Sequence, residues 1–182
     1  MKLIILDRDG VINQDSDAFI KSASEWVPIP RSLEAIARLN QAGYKVVVAT
    51  NQSGVARGLF NMPTLNAIHQ KMHTAAHAVG AHIDAVFFCP HAADSNCDCR
   101  KPKPGLFHEI GRRFEISLKH LPTVGDSLRD LQAGYLAGCT PFLVLTGKGM
   151  ATEAKGGLPP GTRVFANLAD VVDHLLAAPP IT

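Results

Sequence analysis

Four consecutive apolar residues, Leu3-Ile4-Ile5-Leu6, stop abruptly at Asp7-Arg8-Asp9-Gly10. A run this short and this apolar fits a strand buried on both faces, the kind found in parallel sheets covered by helices. Asp7 and Asp9 stand two residues apart, so an extended backbone sends both side chains from one face, and Gly10 lets the chain turn sharply after them. Carboxylates that close repel each other, which favours a bound cation or a shared proton. On this stretch alone, a strand-to-loop junction with solvated aspartates stays open.

The same layout recurs along the chain. Ser32 is placed to cap a helix whose apolar residues Leu33, Ile36, Ala37 and Leu39 recur at helical spacing and which Gly43 stops. Lys45 to Ala49 read as a second buried strand, ending at Thr50-Asn51-Gln52-Ser53-Gly54. Between these strands and the first, residues 14–21 and Trp26-Val27-Pro28-Ile29-Pro30 read as irregular chain passing over the strand end. Further on, a helix is expected over 64–79, strands over 85–89, 122–125 and 140–145, helices over 104–114 and 128–137, a short strand near Val164-Phe165 and a last helix over 168–176 before Ala178-Pro179-Pro180. Strand and helix alternating in this way specify right-handed crossovers and a mainly parallel, doubly wound, three-layer α/β sheet of the Rossmann-like kind. The 182 residues fit one domain, 1–182. In such sheets ligands bind at the carboxyl ends of the strands.

Bulk properties narrow the class of partner. A net charge of +2 is too small to argue for nucleic acid or an anionic membrane surface. Met1-Lys2-Leu3 leads into too short an apolar run for a signal peptide, and no later run would span a bilayer, so a cytoplasmic protein is expected. Structural disulfides are then disfavoured for the four cysteines.

Three further stretches invite chemistry. Cys89, His91, Cys97 and Cys99 form Cys-x-His and Cys-x-Cys pairs across a short loop, a complete tetrahedral set for structural zinc, with a disulfide or free thiols as the competing readings. Directly after it, Arg100-Lys101-Pro102-Lys103-Pro104-Gly105 is a stiff basic segment suited to holding a cation over an anion. Asp126 ends the fourth strand, with Asp130 one helical turn on; Asp126 is either a ligand for a cation or the cap of the next helix. His69, His73 and His77 share a helical face but lack the glutamate of HExxH, so a solvated polar face is expected there. Thr146-Gly147-Lys148-Gly149 lacks the spacing of a Walker loop and reads as a turn.

Taken together, hhhDxDG at Asp7, a strand-ending Thr50, Lys101 and the GDxxxD of Asp126 and Asp130 resemble the phosphatases of the haloacid dehalogenase (HAD) superfamily, over residues 3–145. Asp-Arg-Asp-Gly, Thr-Asn-Gln, the Cys/His loop and Cys-Arg-Lys-Pro are similar to its heptose-bisphosphate phosphatases and histidinol-phosphatases. Thr50 to Gly58 and Lys103-Pro104-Gly105 point to the former, while the short metal loop is like that of the latter. The resemblance implies a magnesium-dependent phosphatase acting on a small phosphorylated sugar. Asp7 would be the nucleophile and Asp9 the acid and base, with its pKa raised; Thr50 and Lys101 would stabilise the phosphoryl group. Asp7, the Asp9 carbonyl and Asp126 would hold Mg²⁺, and Cys89, His91, Cys97 and Cys99 would hold Zn²⁺. Asp15, Asn51, Gln52, Ser53 and Arg100 would contact substrate. Short intervals after the first and second strands imply a capless, open site and fit a monomer. The rivals are a histidinol-phosphate phosphatase, a 3′-phosphatase of nucleic-acid ends, a phospho-receiver and a zinc-stapled binding module.

Overall fold

The computed structural model describes residues 1–177, so Ala178-Pro179-Pro180 lie outside it. Six parallel strands, β1 (Lys2–Leu6), β2 (Tyr44–Asn51), β3 (Ala85–Cys89), β4 (Pro122–Gly125), β5 (Thr140–Val144) and β6 (Arg163–Phe165), form one sheet in the order β3-β2-β1-β4-β5-β6. The chain leaves β1 for one half of the sheet and returns beside β1 for the other. This makes β1 the point where the winding reverses, the place where α/β sheets open a crevice.

Alternation along β1 sorts the helices into two outer layers. Ile4 and Leu6 join the core under α1 (Ser32–Gln41), α2 (Met62–Ala78) and α6 (Leu168–Ala177), through Ile36, Leu39, Ile68, Met72, Val171 and Val172. Leu3 and Ile5 join the opposite core, under α3 (Gly105–Phe114) and α4 (Leu128–Leu136), with Phe107, Ile110 and Ala133. A period of two along a strand buried on both faces produces this division. Trp26, behind a single 3₁₀ turn at Ala23–Glu25, is wholly buried in the first core and ties residues 14–30 to it.

Several local expectations are corrected. Ser32 is the first residue of α1 rather than its cap; Arg31 precedes it in the left-handed region (φ 71°), and Ser32 Oγ donates to Val11 O at 2.9 Å, pinning the loop that follows Asp9. Asp126 does not cap α4. That task falls to Ser127 and Asp130, which bond reciprocally in a capping box and leave Asp126 free for other work. Thr146-Gly147-Lys148-Gly149 leads into a further short helix, α5 (Gly149–Lys155). No inserted domain stands between β1 and β2 or between β2 and β3, and among the described residues no helix is long and apolar enough to cross a membrane.

Candidate active site

The carboxyl ends of β1, β2 and β4, with the basic segment before α3, enclose a cleft of about 210 Å³. Asp7, Asp9, Thr50, Lys101 and Asp126 all line it, as do Asp15, Asn51, Gln52, Ser53 and Arg100. Residues separated by more than a hundred positions thus meet because their strands are neighbours.

At its floor, carboxylate oxygens of Asp7, Asp126 and Asp130 lie within 4.8 Å of one another. Against them stands one ammonium. Lys101, 2% exposed, places Nζ 2.7 Å from Asp130 Oδ1, 3.1 Å from Asp7 Oδ1 and 2.8 Å from Ala49 O. Burial would lower the Lys101 pKa, but Asp130 and Asp7 outweigh it and hold the lysine charged. One cation does not balance three carboxylates. Burial, reinforced by Asp130, pushes Asp7 up to about 7; burial, with Asp130 and Asp7 beside it, pushes Asp126 up to about 8. Asp130 goes the other way, because Lys101 and Ser127 outweigh its burial. Asp130 is therefore the anchor of Lys101, and Asp7 and Asp126 are the oxygens left for a hard divalent cation. The donor set fits Mg²⁺: carboxylates crowded beyond what the lysine neutralises, in a polar cleft.

The backbone is shaped around Asp126. Gly10 (φ +84°) and Gly147 (φ +56°) both pack against its carboxyl group so closely that a Cβ on either would collide with Oδ2. The Lys148 amide donates to the same oxygen at 2.8 Å, and Thr146 Oγ1 donates to Gly10 O at 2.7 Å. Residues 146–149 are thus a wall of the site as well as a turn, through a backbone amide and a glycine that carry no side-chain signature.

Asp9 corrects a second expectation. Its burial would raise the pKa, but the Arg8 guanidinium and hydrogen bonds from Asn13 and Gln52 outweigh it and hold the carboxyl below its ordinary value. Gln52 Nε2 donates to Thr50 Oγ1 at 2.9 Å and to Asp9 Oδ2 at 3.3 Å, tying β2 to β1. Asn51, in the lining, also clamps the Lys101 backbone: its Oδ1 accepts from Lys101 N at 3.0 Å and its Nδ2 donates to Lys101 O at 3.1 Å. Asp15 faces Lys148 Nζ at 3.5 Å across the mouth. Around the mouth, Arg57 and Arg129 join Arg100 in the lining, and none of the three pairs with a carboxylate among the described residues. Burial first, and then the neighbouring Arg129, lower the Arg100 pKa.

The histidine helix divides. His77 is exposed and His73 partly so, but His69 is buried, which contradicts a wholly solvated face.

Beside the cleft, Cys89, His91, Cys97 and Cys99 bring their donor atoms together. None of the four cysteines is joined in a disulfide in this structure. Cys89 Sγ lies 3.8 Å from Cys97 Sγ, the ~3.8 Å expected between sulfurs each about 2.3 Å from a tetrahedral centre, whereas Cys99 Sγ sits only 2.8 Å from Cys89 Sγ, closer than two metal-bound sulfurs stand; His91 Nδ1 is 3.5 Å from Cys89 Sγ and 3.3 Å from Cys99 Sγ. Burial and the adjacent sulfurs push Cys99 up to about 12, while hydrogen bonds outweigh burial and bring Cys97 down to about 6. Sulfurs so crowded ionise together only around a cation, and the set fits Zn²⁺.

Proteins to which this chain is similar include phosphatases. A family model described as polynucleotide kinase 3 phosphatase matches residues 2–131, and one described as HAD-hydrolase-like matches 98–171. A D-glycero-β-D-manno-heptose-1,7-bisphosphate 7-phosphatase of Bordetella bronchiseptica is 62% identical over 97% of this chain and 98% of its own; that of Pseudomonas aeruginosa is 51% identical over 96% and 97%. The crystal structure of the D,D-heptose 1,7-bisphosphate phosphatase from B. bronchiseptica, complexed with magnesium and phosphate, superposes with a TM-score of 0.96 at 62% identity, covering 97% of this chain and 99% of that one.

Proposed function

Because the chain belongs to the D-glycero-β-D-manno-heptose-1,7-bisphosphate 7-phosphatase family of HAD-type phosphatases, we propose that it removes the 7-phosphate of the β-configured heptose bisphosphate and releases heptose 1-phosphate. The observation that carries this reading is the buried set in which Lys101 bridges Asp7 and Asp130 beside Asp126.

In the mechanism we infer, Asp7 attacks phosphorus in line and the bond from phosphorus to the sugar C7 oxygen breaks, leaving an aspartyl-phosphate. Asp9 delivers a proton to the departing oxygen. A phosphate dianion arriving beside Asp9 opposes the pull of Arg8 and raises its affinity for that proton. Asp9 then takes a proton from the water that attacks phosphorus, which frees phosphate and restores Asp7; its lowered resting pKa keeps it in the unprotonated form this second role needs. Thr50 and Lys101 hold the phosphoryl oxygens. Asp7, the Asp9 backbone carbonyl and Asp126 would hold Mg²⁺, which supplies positive charge against the repulsion between Asp7 and the incoming phosphate.

Arg57, Arg100 and Arg129 support this choice of substrate. A ring of unpaired guanidinium groups suits a second phosphate and repels the ammonium of histidinol phosphate. Cys89, His91, Cys97 and Cys99 would hold Zn²⁺ and so fix Arg100 and Lys101 in place; reduced thiols suit a cytoplasmic setting. The cleft is built from one chain, and a monomer suffices.

The test is phosphate release, with Mg²⁺, from both anomers of heptose 1,7-bisphosphate, from histidinol phosphate and from a 3′-phosphorylated oligonucleotide. The β anomer is expected to exceed the last two by about a hundredfold or more in kcat/KM, since those substrates leave the cations at the mouth without the second phosphate they would contact. Preference for histidinol phosphate or the oligonucleotide overturns the assignment.

A further inference from the structure

His69 lines no part of the cleft, yet it is only 8% exposed and its Nε2 lies 3.1 Å from Arg8 Nη1. A guanidinium only donates, so Nε2 is the acceptor and the ring proton sits on Nδ1. Arg8 is wholly buried; its Nε donates to Asp9 Oδ1 at 2.8 Å, and Nη2 has no hydrogen-bond partner. His69 is thus the one side chain besides Asp9 that satisfies this buried cation among the described residues. Asn13 Nδ2 donates to the same Asp9 oxygen at 2.9 Å, so Oδ1 already carries two donors. Oδ2, reached by Gln52 at 3.3 Å, is the oxygen with capacity for a proton.

We propose that His69 is a positioning residue of this site: by accepting from Arg8 Nη1 it sets the guanidinium against Asp9 Oδ1 and so directs Oδ2 to the leaving oxygen of the substrate. This rests on the reading of Asp9 as proton donor. Burial and the neighbouring Arg8 push the His69 pKa down to about 3, so its acceptor lone pair is present throughout the neutral range. His69 lies on α2, far from the β1 loop in sequence, and joins the site only because Arg8 alternates to the face opposite Asp7 and follows Ile4 and Leu6 toward that helix.

The experiment compares His69→Leu with His69→Gln, whose amide oxygen reproduces the acceptor, on two substrates under single-turnover conditions with Mg²⁺. Heptose 1,7-bisphosphate has an alkoxide leaving group that needs a proton; p-nitrophenyl phosphate has one that does not. His69→Leu is expected to slow the single-turnover rate on the sugar phosphate about tenfold, a partial loss of acid catalysis, with the concentration giving half-maximal rate nearly unchanged and nitrophenolate release spared, and His69→Gln to restore most of the rate. Should His69→Leu fail to fold, His69→Met replaces it in the same comparison. Equal losses on both substrates, or no recovery in His69→Gln, overturn the proposal. Asp9→Asn run alongside must show the same leaving-group dependence; if it does not, the role of Asp9 is what fails.

Discussion

Lys101 is surrounded by oxygens and nearly closed to water, so at the residue scale its charge matters more than its shape. Lys101→Met keeps the length and leaves Asp7 and Asp130 facing each other without a cation. Breaking a buried pair in this way costs about 3–5 kcal/mol, and loss of the charge on the phosphoryl oxygens should lower kcat about a hundredfold or more. Thermal unfolding and steady-state kinetics check the two effects separately; wild-type stability with lowered kcat would mean that Lys101 serves catalysis alone. The residues of this floor were legible in the sequence because Asp7, Thr50 and Asp126 each end an apolar run, where a parallel sheet must open. The direction of the Asp9 pKa was not. The acid role implied by the resemblance calls for a raised value, whereas the decisive charge is Arg8, which folds back to Asp9 Oδ1 while its far end is held by α2. His69 was hidden for a related reason: a helical face with three histidines looks polar, and only the buried guanidinium opposite one of them changes its meaning.

At the scale of elements, two loops hold the site in shape. The Cys/His loop feeds straight into Arg100 and Lys101, and Asn51 grips the Lys101 backbone from β2. The purified protein should contain about one zinc per chain, because all four tetrahedral positions are filled by side chains. Cys97→Ser should lose that metal and lower both the melting temperature and kcat/KM, measured by elemental analysis, calorimetry and kinetics; full activity without zinc would detach the loop from the site. The second loop, residues 146–149, was read only as a turn, since its chemistry lies in a backbone amide and in what its glycine allows, neither of which has a side-chain signature. Gly147→Ala places a methyl group against Asp126 at a positive φ, with an expected cost of about 1–3 kcal/mol and weaker Mg²⁺ activation. Unchanged magnesium dependence in that variant would show that Asp126 needs no such close backbone.

For the whole molecule, the order β3-β2-β1-β4-β5-β6 gathers the strand ends, and alternating apolar runs made that sheet readable in advance. The assembled site then works against stability when no metal is bound. Asp7 and Asp126, ordinarily near 3.8, titrate at about 7 and 8 in the fold, so the folded chain holds more protons than the unfolded one and stability falls as pH rises toward about 8. Asp9 and Asp130 are shifted down and lose their contribution only on acidification below 3.8, while the opposite contribution of His69 and His73 is complete above about pH 6.5. Cys97, lowered to about 6, contributes the opposite trend between about pH 6 and 9 whether or not Mg²⁺ is present. Between about pH 6.5 and 8.5 the quantity to follow is therefore the gap in melting temperature between protein with Mg²⁺ and protein freed of it by resin, with no soluble chelator to strip zinc. Millimolar Mg²⁺ should raise the melting temperature more at the upper pH than at the lower; an equal gap at both contradicts the shifts.

The most direct test of the account is whether phosphate passes through Asp7. Heptose 1,7-bisphosphate labelled in the 7-phosphate, mixed with enzyme and Mg²⁺ and quenched in acid within a turnover, should leave label on the protein as an acyl phosphate. That label should map to the peptide carrying Asp7 and be absent from Asp7→Asn, which should not turn over. Wild-type turnover in Asp7→Asn, or full phosphate release with no label ever on the protein, would contradict the account.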